Sequence, residues 1–101
     1  MNIININLNQ IIALCRRFHV AKLWVFGSVL TNRFRDDSDI DLLVDFDSAK
    51  IPLKDYSSNF YGFQFAMEDL LGRKIDMTED KAVKNSFFRA ELDATKSLIY
   101  G

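Results

Sequence analysis

A chain of 101 residues can close one hydrophobic core and is expected to form a single domain over residues 1–101. Its residues are 49% apolar, and its nine phenylalanines set it apart from the low-hydrophobicity composition of disorder. A formal net charge of −1 supplies no global basic field, so nucleic acid is not expected as a direct ligand.

Charge is nevertheless unevenly placed. Asp36, Asp37, Asp39, Asp41, Asp45 and Asp47 fall in one short stretch, and such crowding is costly unless something cationic joins it. The single cysteine, Cys15, excludes an intrachain disulfide and a CxxC redox or zinc motif. No apolar run reaches the ~20 residues of a membrane span. The N-terminus lacks the basic region and cleavage site of a signal peptide, so a cytoplasmic protein is expected.

In chain order, Ile11, Ile12, Cys15 and Phe18 recur at helical spacing, which predicts a helix from about Asn9, as N-cap, to about His19. Lys22–Phe26 reads as a strand halted by Gly27. After the polar stretch Thr31–Ser38, Asp39–Phe46 reads as a second strand. Ile40, Leu42 and Val44 fall on one face and Asp39, Asp41 and Leu43 on the other.

Tyr56–Leu71 has the pattern of a helix with a core stripe of Phe60, Phe63, Met67, Leu70 and Leu71, ended by Gly72 as a C′ glycine. Lys74–Met77 predicts a short third strand, and Ser86–Ile99 a last helix with Phe88, Leu92, Thr95 and Ile99 along one side. The order is that of an α+β (α/β-like) domain, a small mixed β-sheet flanked by helices.

Three features carry chemistry. Gly27 permits close backbone approach to a ligand, and Ser28 can cap a helix whose N–H groups face a phosphate. Alone, Gly-Ser after a strand is common turn punctuation, and that reading outweighs the functional one. Asp39 and Asp41 are different. At i and i+2 on one strand their Cα atoms lie ~6.6 Å apart on the same face, and both carboxylates can converge on a hard cation such as Mg²⁺. Their apolar neighbours Ile40, Leu42, Leu43 and Val44 mark a central strand, where unpaired carboxylates are expensive.

Asp76, between Ile75 and Met77, can join them if its strand pairs beside theirs. Three carboxylates then suit two ions ~3.5–4 Å apart, the arrangement for in-line displacement at phosphorus. Glu79 and Asp80 compete for that role but read better as opening the following turn. An EF-hand is excluded, because Leu42 and Ser48 stand where its glycine and glutamate would be. His19 reads as a surface or capping residue, Cys15 as core, and Arg16 and Arg17 as a solvated face. The run Phe60–Phe65 reads as core, or as a partner surface, before a base-stacking platform.

Gly27-Ser28, then Ser38-Asp39-Ile40-Asp41-Leu42-Leu43-Val44, then Ile75-Asp76-Met77 together resemble the nucleotidyltransferase superfamily of the DNA polymerase β type, and within it the minimal nucleotidyltransferase (MNT) group. The resemblance runs through nearly the whole chain. It implies an enzyme that moves a nucleoside monophosphate, AMP from ATP, to an acceptor hydroxyl and releases pyrophosphate. By position it implies that Gly27 and Ser28 hold the terminal phosphates, that Asp39 and Asp41 bind two Mg²⁺ ions, and that Asp76 completes the second site and helps activate the hydroxyl.

Many relatives read Gly-Ser-x-Ala-Arg-Gly, whereas this chain reads Gly27-Ser28-Val29-Leu30-Thr31-Asn32. Asn32 tolerates a left-handed backbone. The arginine, however, is Thr31, leaving Arg33, or else Arg35, to supply a nucleotide-binding charge. The resemblance also implies a partner, a HEPN-domain toxin that the chain would modify as its antitoxin. Two rivals stand beside this reading: a noncatalytic antitoxin that masks its partner, and a small-molecule adenylyltransferase. Members of the latter class carry an added acceptor-binding domain that is not expected here.

Overall fold

Two strands rich in β-branched and aromatic residues, β1 (Val20–Phe26) and β2 (Ile40–Phe46), pair antiparallel at the centre of the computed structural model, which describes residues 2–101. β3 (Ile75–Glu79) joins β2 in parallel and β4 (Ser97–Tyr100) joins β1 antiparallel, giving a mixed sheet of order β3-β2-β1-β4. The helices are α1 (Asn2–Ile6), α2 (Leu8–Arg17), α3 (Tyr56–Leu71) and α4 (Ser86–Thr95).

Strand alternation divides the core. Leu23 and Val25 of β1 pair with Val44 and Leu42 of β2, and Ile40 pairs with Ile75 of β3. All six are buried, packed in one cluster with Ile11 and Cys15 of α2 and Phe63 and Met67 of α3. Each such side chain contributes about 1.5–3 kcal/mol relative to exposure. Burial pushes the Cys15 thiol up to about 12, so it is an inert core residue. Phe46 anchors the aromatic part of this core, with Tyr56, Phe60 and Phe63 ringed about it at centroid distances of 5.9, 6.0 and 6.0 Å.

On the opposite face, Trp24 pairs with Leu43 and Phe26 with Asp41. Here α4 covers the sheet. Leu43 and Leu92 are both buried, Phe88 meets Phe26 edge to face, and Lys96 places its ammonium 4.4 Å from the Trp24 ring centre. The domain is thus α+β with helices on both faces of the sheet.

The expected elements are present with three differences. The first helix is two: α1 precedes α2, and Asn7, not Asn9, stands between them, donating its side-chain amide to Ile3 O rather than capping α2. The strands run slightly differently, β1 from Val20, β2 from Ile40 and β3 from Ile75 through Glu79. The last helix stops at Thr95. Lys96 turns to an extended backbone, and Ile99, expected on the helix, lies on β4. Pairing with the open edge of β1 outcompetes helix there, for a segment (Ser97-Leu98-Ile99-Tyr100) of high strand propensity.

Two chain reversals take a left-handed backbone, the one at Gly72 as expected. α3 ends at Gly72 with φ +63. His19, exposed just beyond α2, takes φ +59, a left-handed conformation in which histidine is among the commoner non-glycine residues. The Phe60–Phe65 run divides: Phe63 is core, whereas Tyr61 and Phe65 are exposed and stack on each other with centroids 6.4 Å apart. No helix among the described residues is long and apolar enough to cross a membrane.

Candidate active site

Pairing across three strands sets Phe26, Asp41 and Asp76 in one row, because Phe26 is in register with Asp41 and Asp41 with Asp76. Side chains in register share a face. The row lies where β1 ends and β2 and β3 begin, so the two carboxylates meet the turn that leaves β1. Asp39 precedes β2 by one residue and is exposed, as is Asp76, while Asp41 is half-buried.

Burial, and then the negative charges of Asp76 and Asp39, push the Asp41 carboxyl above the usual carboxylate range. Asp39, Asp41 and Asp76 therefore act on one another as a group of like charges. Among the described residues none of the three has an ion pair. Their neighbours in the acidic stretch differ: Asp36 pairs with Arg73 at 3.9 Å, Asp45 with Lys81 at 3.3 Å and Asp47 with Lys50 at 3.8 Å. Tyr56 donates to Glu79 at 2.6 Å and Arg89 to Asp80 at 2.8 Å, so these two acids fasten α3 and α4 to the end of β3. Asp80 does open the following turn, whereas Glu79 ends the strand.

A row of hard oxygen donors with mutual repulsion and no protein cation suits a divalent ion. As the side chains stand, no three His, Cys, Asp or Glu residues among those described are gathered tightly enough to enclose one. The exposure of Asp39 and Asp76 leaves their side-chain torsions little hindered.

Gly27 begins the 3₁₀ turn Gly27–Leu30 with φ +77, and a Cβ built there would overlap Asp41 Oδ2. Glycine is therefore required twice, by backbone conformation and by the closeness of the carboxylate. Ser28 caps no helix, in keeping with the turn reading. It lies inside the turn, where its carbonyl accepts from both the backbone N–H and the hydroxyl of Thr31. Thr31 Oγ1 in turn accepts from Arg33 N.

Residue 31 thus shapes the turn, and the guanidinium arrives two residues later. Gly27, Ser28, Thr31 and Arg33 line a cleft of about 680 Å³ closed on its other side by α4. Arg35 is not among the lining residues; its carbonyl accepts from Arg73. Sequence reading missed the part played by α4. Phe88, Leu92 and Thr95 were legible as one stripe, yet the stripe gives no sign that it faces Phe26 and the Gly27 turn.

Comparison with known proteins agrees with this geometry. The sequence model of the nucleotidyltransferase domain matches residues 8–98. The protein adenylyltransferase MntA of Thermococcus cleftensis is 33% identical over 76 residues, covering 75% of this chain and 72% of that protein. A candidate protein adenylyltransferase of Methanocaldococcus jannaschii is 32% identical over 84 residues, covering 83% and 79%.

Among solved structures, a candidate minimal nucleotidyltransferase superposes with TM-score 0.74 at 26% identity, covering 93% of this chain and 90% of the other. A toxin–antitoxin complex with AMP-PNP contains a chain of the same fold, with TM-score 0.71, 18% identity and coverage of 94% and 73%. With the match spanning both the Gly27-Ser28 turn and all three aspartate positions, the chain belongs to the nucleotidyltransferase domain family and is an enzyme of that class.

Proposed function

We propose that this chain transfers AMP from ATP, with Mg²⁺, to a hydroxyl on a protein acceptor, and that the acceptor is a HEPN-domain toxin for which it serves as antitoxin. The observation that carries the proposal is the Asp41 carboxylate, crowded by Asp39 and Asp76 and lying against Gly27, which lines a cleft of nucleotide size. The curated relatives named as protein adenylyltransferases support AMP as the group moved and a protein as its acceptor. The neighbouring structure of an MntA–HepT toxin–antitoxin pair supports a toxin as partner.

Asp39, Asp41 and Asp76 would hold the metal, the two exposed members turning toward Asp41 to close the set. Bound Mg²⁺ would offset the triphosphate charge and align attacking and leaving oxygens. The chain's own groups do the rest. The Gly27 turn admits phosphate oxygens close to the backbone, Ser28 offers a hydroxyl and Arg33 a charge-assisted donor. Asp76, at the exposed edge of the row, would accept the proton of the attacking hydroxyl.

Labelled ATP and Mg²⁺ with the purified chain, alone and with a candidate HEPN partner, followed by intact mass, tests this. A gain of one AMP on the partner, absent with Asp39→Ala and Asp76→Ala, is expected. A stable complex without any transfer would favour an antitoxin that acts by masking alone.

A further inference from the structure

The cleft between the Gly27–Leu30 turn and α4 has two chemically different walls. The turn wall offers Gly27, Ser28 and Arg33, groups that receive anionic oxygen. The α4 wall offers none of these. There Phe88 is 37% exposed and meets Phe26 edge to face at a centroid distance of 6.2 Å, with buried Leu92 beneath. An aromatic face left open beside an anion-receiving turn suits a flat, uncharged ring joined to phosphates.

Two further groups on α4 define the edge of that ring. Thr95 Oγ1 donates to Glu91 O at 2.8 Å, so its proton is committed and the hydroxyl presents lone pairs. The Glu91 carboxylate accepts only. Both line the cleft, which on this wall is therefore an acceptor surface. The negative Glu91 also opposes a triphosphate on the α4 side, which fixes the direction of a bound nucleotide: phosphates on the turn, base on the helix.

We infer that the α4 wall is the nucleobase subsite, in which Phe88 stacks on the base and Glu91 with Thr95 selects a base bearing an exocyclic amine. This rests on the proposed nucleotidyl transfer and adds where the base lies and what reads it. Uracil, which has no exocyclic amine and presents carbonyl oxygens at its edge, is the base this wall disfavours most.

Calorimetric titration of the purified chain with ATP, UTP and inorganic tripolyphosphate, each with Mg²⁺, separates base from phosphate binding. Wild type should bind ATP more tightly than UTP. Phe88→Ala should weaken ATP about tenfold, in the range of base–aromatic stacking, and leave tripolyphosphate unchanged. Phe88→Leu keeps an apolar contact with Phe26 and should fall between. Glu91→Gln should narrow the preference for ATP over UTP.

Equal ATP affinity in wild type and Phe88→Ala would overturn the subsite and leave the transferase reading standing. So would a parallel loss of ATP and tripolyphosphate affinity. Equal binding of ATP and UTP by wild type would overturn the selection by Glu91 and Thr95. Failure of wild type to bind either ATP or tripolyphosphate would overturn both readings together.

Discussion

At Gly27 two requirements coincide, a left-handed backbone and room for the Asp41 carboxylate, and any Cβ violates both. Gly27→Ala should cost about 1–2 kcal/mol from the backbone alone, and by displacing Asp41 it should lower adenylyl transfer on the order of a hundredfold. Denaturant melts and turnover measured on one preparation separate the two losses. Asp41 itself gives a prediction of opposite sign. Its carboxyl holds a proton more tightly folded than unfolded, because burial and then the charges of Asp76 and Asp39 disfavour ionisation. The stability this confers is full below the unfolded pKa, about 3.9, and is lost as pH rises through the raised folded value. At neutral pH ionised Asp41 therefore opposes folding. Asp41→Asn should melt a few degrees higher than wild type at pH 7 in the absence of Mg²⁺, with the gap closing in acid, while transfer is abolished. A variant that melts lower would contradict the account of crowding. At Arg33, exposed and away from the core, replacement by alanine should leave melting unchanged and weaken ATP about tenfold or more, as loss of a charge-assisted contact does. Arg35→Ala should change neither melting nor ATP affinity.

Among the elements, α3 offers the cleanest test of how local sequence sets a boundary. Gly72 ends it with φ +63, and a Cβ there would meet nothing within 4 Å. Gly72→Ala should therefore cost about 1 kcal/mol, a pure backbone penalty less the entropy removed from the unfolded chain, read by urea denaturation. This boundary was legible because glycine's left-handed preference is local. So was the pairing of Asp39 and Asp41, since strand alternation alone puts i and i+2 on one face. The row completed by Asp76 was conditional on a strand pairing that sequence suggests but does not dictate, and the parallel register Asp41–Asp76 meets the condition. What was illegible is non-local. The switch from helix to strand after Thr95 depends on the open edge of β1, which no window around Ser97–Tyr100 contains. At Ser28 the reading favoured from sequence, turn punctuation, is the one observed. A helix beginning there and a 3₁₀ turn share the same first residues, and the turn is set by the Thr31 hydroxyl, which reaches back to the Ser28 carbonyl.

Across the whole molecule, the two faces of the sheet have opposite demands. The face under α2 and α3 holds the larger core cluster, whereas the face under α4 combines the buried Leu43 and Leu92 with a row of carboxylates that repel one another. Stability is thus produced on one side and spent on the other, and a divalent ion bound by the carboxylates would act on the second. If Asp39, Asp41 and Asp76 hold Mg²⁺, binding to the folded state alone must raise stability. At free Mg²⁺ ten times its Kd the gain is about 1.4 kcal/mol, or roughly 6–11 °C in Tm for a domain of this size. Wild type should show that rise between metal-free buffer and saturating Mg²⁺. The Asp39→Ala, Asp41→Ala double variant should show none, and should begin from a metal-free Tm no lower than wild type, because it has lost the repulsion along with the ligands. A rise of equal size in both proteins would place the ion elsewhere. A flat response in wild type would mean that the crowding is met by something other than a metal, with Arg33 across the Gly27 turn the nearest cation lining the cleft.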